Sequence, residues 1–278
     1  MNFLFPTLVV GLAAIGAAPS AAHEFWIESD DYALDPGQDL VATVRVGQKF
    51  QGTSYPYFPP NFTLFATVAP GADEMVPVRM RLGDRPALSM PVEQEGLTTV
   101  LHVSRYFDLT WESWEKFDDF VREKDGGWVI DAHAERGFEQ VEGIREAYAR
   151  FAKALYAVGD GAGEDRAYGL ETEIVALENP YTDAVSDGLD VQVLYDGAPR
   201  ADAQIEVFSK PLGDDQAEAT VTKVQTDADG RATVAVEKGR QYLLDAVVFR
   251  EPADDLMAGF DPQWETLWAS LTFGLPAD

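Results

Sequence analysis

Apolar and polar residues alternate with a period of two from residue 24 to about 107. Leu40, Ala42, Val44 and Val46 fall on one side of an extended chain and Val41, Thr43 and Arg45 on the other, the pattern of a half-buried strand. Met75–Leu82 and Leu97–Tyr106 repeat it, and Asp35-Pro36-Gly37 and Gly83-Asp84-Arg85-Pro86 punctuate it as turns. At Trp111 the period changes. Trp111, Trp114, Phe117, Phe120 and Val121 recur at helical spacing, and Val141, Ile144, Tyr148, Phe151 and Leu155 follow at intervals of 3-4-3-4. This predicts a helical insertion over about 111–158, broken near Gly126-Gly127, with Trp128–Arg136 a short helix between two longer ones. The apolar stripe of the last helix should pack into the protein.

Gly159-Asp160-Gly161-Ala162-Gly163 then reads as a helix stop and turn. It lacks the lysine of a phosphate-binding loop and the oxygen spacing of a calcium loop. Leu170–Leu177 is strand-like and Asn179-Pro180-Tyr181-Thr182-Asp183 reads as a linker. Five strands follow at Leu189–Tyr195, Gln204–Phe208, Thr220–Thr226, Ala232–Val236 and Tyr242–Phe249. Asp196-Gly197 and Asp227–Gly230 mark hairpin turns, their aspartates bonding their own backbone. Trp264–Leu275 reads as a final strand or a docking segment. The expectation is a mainly β protein of two β-sandwich (Ig-like) domains. The first, about 23–180, carries the helical insertion, and the second spans 185–278.

Residues 1–22 contain no charged side chain and form an apolar stretch closing on small residues, the build of a signal peptide. Ser20 and Ala22 meet the cleavage rule, so the mature chain is expected to start at His23 and to be periplasmic or secreted. Beyond residue 22 no apolar run approaches the ~18 residues of a membrane span, so none is expected in the mature chain.

The absence of cysteine among 278 residues excludes disulfides, thiolate metal sites and cysteine nucleophiles. A formal charge of −27, from 21 basic and 48 acidic residues, excludes nucleic acid as a partner and favours cations. Neither a G-x-S-x-G elbow nor an H-E-x-x-H helix occurs, so no enzyme is expected.

Three histidines carry the candidate chemistry. A mature His23 offers an α-amine, whose unperturbed pKa is roughly 7.7–8, and an imidazole. A second imidazole would complete a three-nitrogen histidine brace. His102, in mid-strand, is the first candidate for it, and His133, in the insertion, is the reserve ligand. Such a set suits Cu(II) or Ni(II), whereas the scattered methionines do not suit Cu(I). Zinc would need a carboxylate such as Asp131 as well.

Ala22-His-Glu-Phe-Trp-Ile27, Leu34-Asp-Pro-Gly37, Val46-Gly47, Gly159–Gly163, Glu173-Ile-Val-Ala-Leu177 and Asn179-Pro-Tyr181 resemble a family of exported bacterial proteins labelled as nickel-uptake or NikM-like. The resemblance implies a periplasmic protein of transition-metal uptake or handling, with a membrane metal transporter as partner. Leu189–Phe249 resembles the transthyretin or carboxypeptidase-regulatory type of Ig-like sandwich, a structural module. Two other functions stand beside metal handling: a metal-free envelope scaffold, and a copper-dependent monooxygenase.

Overall fold

The computed structural model describes residues 23–277, and the expected signal peptide lies outside them. Along the chain run β1 (Glu24–Glu28), β2 (Ala33–Leu34), β3 (Asp39–Gln48), β4 (Gln51–Tyr55), β5 (Phe62–Val68), β6 (Val76–Pro77), β7 (Leu88–Pro91), β8 (Gly96–Ser104) and β9 (Phe107–Thr110). Helices α1 (Trp114–Glu123) and α2 (Trp128–Glu135) precede β10 (Arg145–Val158), β11 (Thr172–Ala176), β12 (Leu189–Tyr195) and β13 (Ala198–Pro199). The chain closes with β14 (Gln204–Pro211), β15 (Thr220–Gln225), β16 (Arg231–Val234), β17 (Arg240–Arg250), α3 (Asp254–Gly259) and β18 (Trp264–Leu275).

The strands form three sheets. The largest has ten, in the order β15-β14-β17-β18-β10-β8-β5-β6 with β2 and β9 also on β10. One small sheet joins β1-β3-β4 with β7 on β3, and the other joins β11-β12-β13 with β16 on β12. Because side chains alternate across a strand, β10 feeds two cores. Ala152, Ala154, Tyr156 and Val158 pack with Ile27, Leu40 and Val44, and Leu155 packs with Ile174, Val191 and Val193 from the other side. The two small sheets therefore cover opposite faces of the large one. The protein is mainly β and of sandwich type, its two facing pairs sharing one central layer. That layer takes strands from both sides of residues 180–185, with β18 seated between β17 and β10 and buried along its length.

The helical insertion is shorter than its spacing predicts. α1 and α2 form, and Phe117, Phe120 and Val121 are buried against Val247, Phe249 and Trp268. Ser113 caps α1, its hydroxyl accepting from the Lys116 N–H at 3.3 Å. Gly126 lets the chain turn under Phe249, whose ring lies 2.6 Å from where a Cβ would stand. Residues 145–158, however, are not a helix but β10. Val141 is exposed before it, and the 3-4-3-4 residues from Tyr148 onward divide between the two faces. The segment is rich in Ala, Arg, Glu, Lys and Leu, with Val158 its one β-branched residue, a composition that favours helix. Pairing with β18 and β2 on one side and with β8 and β9 on the other outweighs that preference. A strand buried on both faces has no polar side to mark its period.

Glu146 lies fully buried on β10, accepting from Trp111 Nε1 at 2.8 Å and from the Thr266 hydroxyl. Burial raises its pKa from 4.5 to about 7, against the two hydrogen bonds. The folded protein thus holds a proton that the unfolded chain releases at lower pH, so this group makes stability fall as pH rises from about 4.5 to about 7. The full effect is up to about 3 kcal/mol. Glu146→Gln should remove that slope and stabilise the protein above pH 7. Urea midpoints measured from pH 5 to 8 check this, and parallel pH curves for both proteins would refute it.

Candidate functional site

β1 is buried throughout because it lies between two cores. Phe25 and Ile27 turn towards β8 and β10, and Glu24 and Trp26 turn towards β14 and β17. His23, two residues before Phe25, falls on the Phe25 side by the same alternation. The strand is held at its start by Lys124, the residue closing α1. The Lys124 ammonium meets Glu24 at 3.2 Å and Asp245 at 3.1 Å, and also Glu206, with every partner buried. Burial opposes the charge of Lys124, but the carboxylates of Asp245, Glu24 and Glu206 outweigh it and hold its pKa up. Burial also pushes Glu24 to about 7, with Lys124 pulling the other way.

His102 projects from mid-β8 into an aromatic shell, its ring 4.8 Å from that of Phe25, 5.3 Å from Phe62 and 5.1 Å from Phe65. Burial first, and the positive charge of Arg150 second, lower its pKa to about 3. The imidazole is neutral at neutral pH. Burial and Arg150 lower His23 in the same way. The Nδ1 atoms of both histidines are buried and have no hydrogen-bond partner among the described residues.

Arg150 acts on both through its charge. It is buried on β10, and its Nη2 donates to the His23 carbonyl at 3.3 Å. Its guanidinium stands 4.6 Å from the centre of the Tyr148 ring and 5.7 Å from that of Phe25, and its backbone N–H donates to the Ser104 hydroxyl at 2.9 Å. His102 and Arg150 line a cavity of about 350 Å3 whose walls include Phe25, Tyr55, Tyr57, Phe62, Phe65 and Phe107.

His133 is elsewhere. It packs with Trp114, Phe117, Phe138 and Trp264 under the insertion. Both ring nitrogens are engaged: Trp264 Nε1 donates to Nδ1 at 3.0 Å, and Nε2 faces the Glu139 carbonyl at 3.1 Å. Of the three expected ligands, His23 gives its backbone carbonyl to Arg150, His102 lines the same cavity as Arg150, and His133 sits in a separate core. Among the described residues no group of three or more His, Asp or Glu side chains is placed to hold a metal ion. Any site on His23 and His102 therefore needs a further donor, such as a free α-amine.

Arg150, Lys124 and Lys153 are the site and framework residues that periodicity did not single out. Lys153 is buried on the opposite face of β10, with Asp165 at 2.8 Å and Glu173 at 3.2 Å. A signal was available. In a chain with 48 acidic and 21 basic residues, two cations inside the apolar run 147–158 imply dedicated partners. The aspartate turns behave as expected, Asp227 Oδ1 accepting from the N–H groups of Asp229 and Arg231, both at 2.9 Å.

A family model described as a domain of unknown function, DUF4198, matches residues 20–249. No curated protein matches the chain. Among solved structures it is similar to a point mutant of Salmonella alpha-2-macroglobulin, with 15% identity over 99% of this chain and 16% of that one, at a TM-score of 0.22. The methylamine-reacted Salmonella protein gives 15% identity over the same shares, at a TM-score of 0.23. Trypsin-activated alpha-2-macroglobulin from Escherichia coli gives 13% identity over 95% of this chain and 16% of that one, at 0.22. The chain thus spans 16% of the length of these structures, and at such TM-scores the likeness carries no argument about fold or function.

Proposed function

The chain belongs to the DUF4198 family, and on that premise we propose an exported protein that binds Cu(II) or Ni(II) once residues 1–22 are removed. It would pass the ion to a membrane uptake or resistance system, as the NikM-like label attached to proteins with its Ala22-His-Glu-Phe-Trp26 opening implies. One observation carries the reading: Arg150 bonds the His23 backbone carbonyl and shares a cavity with His102, and both histidines have lowered pKa values and a buried, unpartnered Nδ1. Neutral imidazole is the form that ligates metals, and a nitrogen-only donor set suits Cu(II) and Ni(II). Processing turns the His23 amide into an amine, which supplies a third nitrogen and a chelate ring. His133 has no place in this set, since its nitrogens are already engaged. The ion is cargo, and the site needs no catalytic side chain.

The mature protein, the same protein with one extra N-terminal glycine, and His102→Ala should be titrated with Cu(II) and Ni(II) at neutral pH. Each change should weaken binding by about tenfold or more, a loss of about 1.4 kcal/mol or more, and His133→Gln should not. Equal affinity for all of them would overturn the proposal and leave the envelope scaffold as the better reading.

A further inference from the structure

Among the described residues, Arg150 is a buried cation in no ion pair with a carboxylate. A buried charge is normally paired, and the buried lysines among the described residues are. Lys124 has three carboxylates, Lys153 has two, and Lys210 meets Glu28 at 2.6 Å. Among the described residues no acid forms an ion pair with Arg150, and its Nε is buried without a hydrogen-bond partner. The nearby acid on the same face of β10, Glu146, is engaged with Trp111 and Thr266. What surrounds the guanidinium instead is the His23 carbonyl, the Tyr148 ring and the aromatic cavity.

We propose that this cavity binds a small organic monocarboxylate with an aromatic or branched apolar body, its carboxylate seated on Arg150. The planar guanidinium fork matches a carboxylate in shape and hydrogen-bond geometry. One cation in an apolar enclosure balances one negative charge, which disfavours a phosphate dianion. The rings of Phe25, Phe62 and Phe65 offer the ligand's body an apolar wall. A volume of about 350 Å3 lies at the small end of ligand pockets and suits a body of about one ring. The site stands whether or not a metal binds.

The test uses the exported protein stripped of metal with EDTA and three probes of one shape: 3-phenylpropionate, 3-phenylpropanol and 3-phenylpropylammonium. Calorimetric titration should show the carboxylate binding about tenfold or more tighter than the alcohol, with the ammonium weakest. In Arg150→Gln the carboxylate should fall to the level of the alcohol, while the alcohol keeps its affinity. Equal binding of acid and alcohol, no saturable binding of either, or an acid affinity unchanged in Arg150→Gln would overturn the proposal. If the variant does not fold, the comparison of probes on the unaltered protein decides alone. Metal being absent throughout, failure here leaves the metal reading standing, and failure of the metal titration leaves this one standing.

Discussion

Replacing Lys124 with methionine should destabilise the protein by about 3–5 kcal/mol near neutral pH, the cost of removing one partner of a buried ion pair. The ammonium holds Glu24, Glu206 and Asp245 together, so its loss leaves three carboxyl groups facing one another out of reach of water. Lys223 reaches Glu206 at 3.1 Å from the rim, with its side chain 43% exposed, and cannot replace the buried charge. Without Lys124 the three acids can relieve their repulsion only by taking up protons, which raises their folded-state pKa values. The deficit should therefore shrink as pH falls from 8 to 5. Urea unfolding at both pH values checks this, with Lys223→Met as the control expected to lose less than about 1 kcal/mol. A Lys124→Met variant within 1 kcal/mol of the parent at pH 8, or one whose deficit grows on acidification, would show that the cluster is not held as described. Glu24 adjoins His23, so the same variant should also loosen the start of β1 and weaken metal binding there.

Trp264→Ala should cost about 3–5 kcal/mol, as for a large aromatic removed from a core. The indole is fully buried at the head of β18, with the Trp128 ring 5.8 Å away and the Arg136 guanidinium 4.8 Å from its centre. Its N–H also satisfies His133 Nδ1, which leaves the His133 proton on Nε2, facing the Glu139 carbonyl. Trp264→Phe keeps much of the ring but orphans His133, at a cost of about 1–3 kcal/mol. Neither change should alter Cu(II) or Ni(II) affinity in the folded protein. Thermal unfolding, followed by metal titration of both variants, tests the pair. A weaker metal site in folded Trp264→Phe would return His133 to the list of ligands.

Much of this architecture is legible in the sequence, unevenly and for identifiable reasons. β12 begins and ends at Leu189 and Tyr195 as its alternation predicts, because one of its faces is partly exposed and the polar residues mark it. α1 is legible because its stripe faces a sheet and its other side faces water. β10 is not, because both its faces are buried and its alanines and long charged residues imitate a helix. That one misreading hides Arg150 and Lys153, since a charged residue on a surface helix needs no partner and one inside a strand does. His102 is visible as a histidine in mid-strand. The Lys124 cluster is invisible, because its partners lie 100, 82 and 121 residues away in the chain, and no local period reports contacts of that range.

The parallel pairing of β10 with β18 also bears on how the protein reaches its native state. β18 fills the slot between β17 and β10, and the Thr272 hydroxyl donates to the Ile27 carbonyl at 2.7 Å, beneath the strand that follows His23. The N-terminal strand thus rests on one made about 240 residues later, so a chain emerging from a ribosome or a translocon cannot finish the bed of His23 until Trp264–Leu275 has arrived. Sheets closed by such distant partners fold slowly. During that delay the open flanks of β10 and β17 are the surfaces most exposed to mispairing, and a chaperone acting on this protein would be needed there.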